Sequence, residues 1–175
     1  MSRKLLVILG VLVLIGLTTT TVFAGRYRLS TFSFSLGSLI ADGTLTGLGS
    51  QDVTVVLDAS GIPVVTCTNQ GGNQAPGQNP PKVSATGSQF LASAVFTKNG
   101  TSPFDVETND PQPGLTPKQM GCPNNNWTAR IDFVLWTNAT ITVHTGEITG
   151  PIGLQQKFTC TTTQNPDSVT CTPTN

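Results

Sequence analysis

The chain has 175 residues, nine Lys and Arg against nine Asp and Glu, so its formal charge is zero and only 10% of it is charged. With no basic surplus to hold a phosphate backbone, nucleic-acid binding is excluded. A single histidine and four cysteines without CxxC spacing argue against a zinc centre, and no cofactor is implied.

Arg3 and Lys4 precede an apolar run from Leu5 to Leu17, and Val22, Phe23 and Ala24 place small residues at the −3 and −1 positions. This is the pattern of a secretory signal peptide cleaved after Ala24. Thirteen apolar residues are short for a bilayer, which needs about 20. Residues 1–24 are therefore expected to leave one secreted domain, 25–175, free of the membrane and carrying seven basic and nine acidic residues, a net charge of −2. About 68–70% of its unfolded surface can be buried at that size, so a core needs no metal.

Within the mature chain, Phe32, Phe34 and Leu36 alternate with Ser33 and Ser35, a strand with one buried face. Ile40 to Gly43 suggests a turn, with Thr44 to Leu48 returning. Asp52 to Asn69 reads as a hairpin: Val53, Val55 and Leu57 alternate with Thr54, Val56 and Asp58, then Ala59, Ser60 and Gly61 reverse the chain and Ile62 to Thr68 runs back. Gln70 to Pro81 is a polar surface loop. Lys82 to Ser88 and Gln89 to Thr97 read as two strands, the second with Phe90, Ala92, Ala94 and Phe96 on one face. From Asn99 to Asn126 proline stands at 103, 111, 113, 117 and 123, and regular structure is not expected in residues 99–126. Arg130 to Thr137 and Thr140 to Thr145 form a hairpin turning at Asn138 and Ala139. Phe158 to Thr163 and Ser168 to Thr172 form another around Asn165, Pro166 and Asp167.

No window shows helical periodicity, and Thr, Ser, Asn and Gln supply most of the polarity. About nine short strands with turn signals between them give an all-β chain, an antiparallel β-sandwich of immunoglobulin-like or related type. In an oxidising compartment, Cys67, Cys122, Cys160 and Cys171 are expected as two disulfides, with three pairings open. The last hairpin favours Cys160 with Cys171, which leaves Cys67 with Cys122.

No GxSxG motif, metal-binding His pair or other nucleophile and base set stands out, and His144 lies among threonines. A non-enzymatic protein is expected. Asp105, Glu107 and Asp110, with Asn109, offer oxygen ligands of the kind Ca²⁺ prefers, though not with EF-hand spacing. Trp127, beside Asn124 to Asn126, reads as exposed; with Tyr27 it is the candidate platform for a sugar ring, whereas Trp136 reads as core. Thr140, Thr142, Thr159, Thr161 and Thr163 alternate as an ice-binding ladder would, a spacing that β-propensity alone explains. Asn99, Asn126 and Asn138 begin N-x-Thr sequons.

The Gly47–Leu48–Gly49 stretch, Cys67 followed by Asn69, Gly71 and Gly72, Cys122 with Pro123, and the strand around Asn138, Thr140, Ile141 and Thr142 resemble a loose group of small secreted bacterial proteins of uncharacterised function. The resemblance covers roughly Ser33 to Thr145. It implies a signal peptide, a β-sandwich and a bridge of the Cys67 to Cys122 type, and no activity. The long proline-rich segment and the hairpin with Cys160 and Cys171 depart from that group. The expected function is that of an exported, non-enzymatic surface or extracellular protein, binding or structural, whose partner is an extracellular protein or a polysaccharide. The alternatives are a carbohydrate-binding module using Trp127 and Tyr27, a small secreted hydrolase with a carboxylate site, and an enzyme inhibitor acting through the Gln70 to Pro81 loop.

Overall fold

The computed structural model describes residues 27–36, 38–111, 114–164 and 167–174. The expected signal peptide and its cleavage point, like Asn165 and Pro166 of the last turn, lie outside the described residues.

Two long strands carry the architecture. β3 (Val53–Thr68) and β7 (Thr128–Thr145) pair antiparallel over their whole length, from Val53 opposite Thr145 to Thr68 opposite Thr128. Neither reverses where the sequence suggested. Ala59 faces Ala139 and Ser60 faces Asn138, but Gly61 faces Trp136, so Thr137 is an extra residue in the ladder. The small residues thus mark a β-bulge and a bend shared by both strands. A β-carbon on Gly61 would collide with the Leu135 carbonyl oxygen and Val134. Smallness serves close backbone approach here, and both hairpin expectations are corrected to single strands.

The seven other strands among the described residues are β1 (Arg28–Ser35), β2 (Ile40–Thr46), β4 (Gln74–Pro76), β5 (Val83–Leu91), β6 (Ser102–Glu107), β8 (Ile152–Gln164) and β9 (Asp167–Thr174). The expected turn at Ile40 to Gly43 is strand β2, with Gly43 packed under the Phe104 ring. Residues 82–97 hold one strand, β5, and a short 3₁₀ turn at Ser93–Val95. Val83, Ala85, Gly87 and Leu91 turn inward, which leaves Phe90 51% exposed rather than in the core. The proline-rich segment is not wholly irregular either: β6 buries Ser102, Phe104 and Val106 in strict alternation. Among the described residues its only ladder partner is β2, so Pro103 sits on a strand at the sheet edge, where a missing N–H is tolerated.

The strands form a three-stranded antiparallel sheet, β1-β2-β6, and a six-stranded one in which β4-β3-β7-β8-β9 are neighbours and β5 pairs with β3 beside β4. The larger sheet curls into a half-barrel, as the bulges in the β3–β7 ladder promote. Leu39, Ala41, Leu45, Phe104 and Val106 from the side of the smaller sheet share one core with Val53, Val55, Leu57, Trp136, Ile141 and Phe158 from the larger. Phe32 and Phe34 meet Phe158 edge to face, with ring centroids 5.0 and 5.1 Å away. Both expected disulfides are present, Cys67–Cys122 and Cys160–Cys171.

Where β3 begins, Asp52 ties it to the 3₁₀ turn: its carboxylate accepts the Ser93 backbone N–H at 2.7 Å. That bond first, and the Ser93 hydroxyl second, hold the carboxyl below its ordinary range. A lowered folded value stabilises above the unfolded one, about 3.9, and the contribution disappears as pH falls through the folded value. Asp52→Asn is therefore expected to melt below the wild type at pH 7, with the gap closing under acid. Melting temperatures measured from pH 7 down to about 2 check this, and a gap that widens in acid contradicts it.

Candidate binding site

At their far end β3 and β7 carry a second, smaller core: Val65, Cys67, Met120 and Cys122 are buried, with Leu115, Trp127, Ala129 and Ile131 packed against them. Thr68 opposite Thr128 is the last pair, so Asn69 and Trp127 lie just beyond it on opposite strands. From there two loops converge. The first folds back as β4 onto Thr66–Thr68, and the Gly77 N–H donates to the Val65 carbonyl at 2.8 Å. The Gln78 N–H donates to the Gly121 carbonyl at 2.9 Å and joins the first loop to the second. Gly121 has φ +90° and lies so close to the Gln78 backbone that no side chain fits there. Cys67–Cys122 pins the same junction.

These loops are dense in amides. The Asn69 side-chain oxygen accepts from the Gly71 and Asn73 N–H groups, both at 2.9 Å. Gln119 accepts from the Thr116 N–H at 3.0 Å, Asn124 from the Asn126 N–H at 2.9 Å, and Asn125 from the Lys118 N–H at 3.1 Å. The oxygens fold the loops, and the NH₂ ends of these four side chains hold no bond among the described residues. Lys118 is the single charged side chain in residues 69–79 and 117–127. The tip is therefore nearly neutral and rich in side-chain amides, each with donor capacity beyond its bonded oxygen.

Beside the tip runs a cleft of about 700 Å³ along residues 129–134 of β7, walled by Ser38, Asp110, Leu115 and Met120. It carries charge: Arg130 and Asp132 pair at 2.8 Å, and the Thr66 hydroxyl also donates to Asp132.

Trp127 is half-buried rather than exposed, because its side chain packs against the small Cys67–Cys122 core. Tyr27 lies elsewhere. Its hydroxyl shares a 3.0 Å hydrogen bond with Thr145 and its ring fills the space above Gly153. Trp127 and Tyr27 thus adjoin opposite ends of β7, roughly 55 Å apart along the strand at about 3.3 Å per residue, and form no common platform. Trp136 is core, as expected. Asp105 and Glu107 are exposed on β6, Asp110 accepts from Ser38 at 3.2 Å, and no group of three or more metal-ligating side chains comes together among the described residues. His144 is structural: its Nδ1–H donates to the Gly150 carbonyl at 2.9 Å. Thr159 and Thr161 stand outward opposite Thr172 and Thr170, with the Cys160–Cys171 bridge on the buried face beneath them. Asn99, Asn126 and Asn138 are exposed. Among the described residues no helix is long and apolar enough to cross a membrane.

The amide cluster escaped sequence reading because its halves lie about fifty residues apart. Its signal was the density of Asn and Gln on either side of the two cysteines. No known family model, curated protein or solved structure matches this chain.

Proposed function

We propose that the chain is an exported, non-enzymatic binding protein, a β-sandwich whose disulfide-pinned tip takes a neutral polysaccharide. The observation that carries this reading is the meeting of two amide-rich loops at the Cys67–Cys122 core on which Trp127 packs, with Gln119, Asn124 and Asn125 exposed and one charge among the loop residues. Sugar hydroxyl and ring oxygens accept from such amides, and the C–H face of a sugar stacks on an indole. Neutrality favours an uncharged polymer over a phosphate or an acidic peptide. The two disulfides support export, since such bonds persist in oxidising compartments.

Co-sedimentation of the purified mature chain with insoluble cell-wall polysaccharides tests the reading. Saturable retention is expected, weakened at least about tenfold, or 1.4 kcal/mol, by Trp127→Ala. Because Trp127 also packs on the second core, Asn124→Ala, at an exposed position, is measured beside it and is expected to weaken retention without lowering the melting temperature of the main core. No retention on any polymer, or retention by both variants equal to that of the wild type, overturns the proposal.

A further inference from the structure

Strand β8 pairs with β7 only from Asn138 to His144. From Thr128 to Thr137 the edge of β7 away from β3 has no strand partner among the described residues, and β8 touches it through a side chain, the Thr162 hydroxyl donating to the Trp136 carbonyl at 3.2 Å. Residues 129–134 of this stretch also line the cleft. An open edge is a template for another strand.

Two devices restrict which strand can add. Asp132 is an extra residue in the ladder, between the Val64 and Val65 pairings, and bulges keep generic strands off an edge. Arg130 and Asp132 are both exposed, and their 2.8 Å ion pair puts them on one face. An acid opposite Arg130 and a base opposite Asp132 favour an incoming antiparallel strand, since opposite charges directly opposed are stabilising and like charges destabilising. Between them it needs an apolar residue to face Ile131, which is half-buried against both cores. Read from its N-terminus, the matching strand is base, apolar, acid. The chain itself carries that order, Arg130–Ile131–Asp132.

We infer that β7 of a second copy adds to this edge, in a two-fold antiparallel pairing centred on Ile131. Each Arg130 then faces the other copy's Asp132, on the exposed face that both residues share. A two-fold interface is self-complementary, as this arrangement is.

Light scattering on the mature chain over about 1 to 100 µM spans the range in which micromolar pairing fills. The wild type is expected to reach twice the monomer mass. Arg130→Asp sets acid against acid and Asp132→Arg sets base against base, and each is expected to raise the dissociation constant at least tenfold. The doubly exchanged variant, Arg130→Asp with Asp132→Arg, restores opposition and is expected to dimerise again. Ile131→Cys provides a second reading: at the two-fold centre it faces itself, within about 5.5 Å between α-carbons, and oxidises to a covalent dimer. Phe133→Cys, two residues off the two-fold centre and beyond the bulge at Asp132, does not. A wild type that stays monomeric throughout, single reversals that still dimerise, a double exchange that stays monomeric, or cross-linking by Phe133→Cys in place of Ile131→Cys each overturns the inference.

Discussion

Replacing Cys67 and Cys122 together by alanine is expected to destabilise the protein by roughly 4 kcal/mol, the chain-entropy value for a bridge of this span. The two cysteines stand 55 residues apart in sequence, and in the unfolded chain the bridge closes that whole loop. They are also half of the four buried residues in the second core, so the bridge is structural filling as well as a tether. Without it, the junction at the tip retains the Gln78 to Gly121 and Gly77 to Val65 backbone bonds and little buried surface. The loss should therefore be local as well as global. Limited proteolysis is expected to cut within residues 69–79 and 114–127 in the variant while β3 and β7 remain intact through the main core. The contrast is Cys160–Cys171, which spans only 11 residues and would contribute roughly 3 kcal/mol in the same picture. That hairpin is already held by a ladder from Lys157–Thr174 to Gln164–Asp167, so its loss leaves the strands paired. Urea unfolding of both variants gives the two values. Unchanged stability and unchanged cleavage in the Cys67 and Cys122 variant would show that the tip is held by its hydrogen bonds alone.

The contrast between the two bridges also explains what the sequence made legible. Cys160 and Cys171 could be paired by inspection because Phe158, Cys160 and Val169, Cys171 alternate with outward threonines on two adjacent strands. The β-rich class and the inward Val53, Val55 and Leu57 were readable for the same reason: a period of two is a local property. The two hairpins inferred around Ala59–Ser60–Gly61 and Asn138–Ala139 failed because a turn and a bulged bend call for the same small residues. What separates them is that Ser60 faces Asn138, a partner 78 residues away, which no short window contains. Proline misled in β6 because its cost depends on whether the strand is paired on one side or both, again a non-local fact. The site shows the same boundary. Trp127 could be singled out by its residue type, whereas the amide-rich tip exists only once Thr68 pairs with Thr128 and Cys67 with Cys122.

Trp136 tests that bend directly, and Trp136→Ala is expected to cost about 3 to 5 kcal/mol, a fifth or more of the roughly 5 to 15 kcal/mol typical of a domain. It is 1% exposed and stands first among the fully buried side chains by volume. Its cross-strand partner is Gly61, which has no side chain, so the indole stands on the inner face where nothing opposite competes for the space. Truncation leaves two small residues facing each other at the bulge and a cavity that the paired backbones cannot close. Trp136→Phe should cost far less. The indole N–H is buried without an acceptor among the described residues, so phenylalanine forfeits volume but no hydrogen bond, and it removes a donor whose burial is itself unfavourable by about 1 to 3 kcal/mol. Chemical denaturation of the two variants separates the contributions. A Phe variant as unstable as the Ala variant would mean that the N–H is bonded in solution and that the bend depends on that bond rather than on the bulk of the ring.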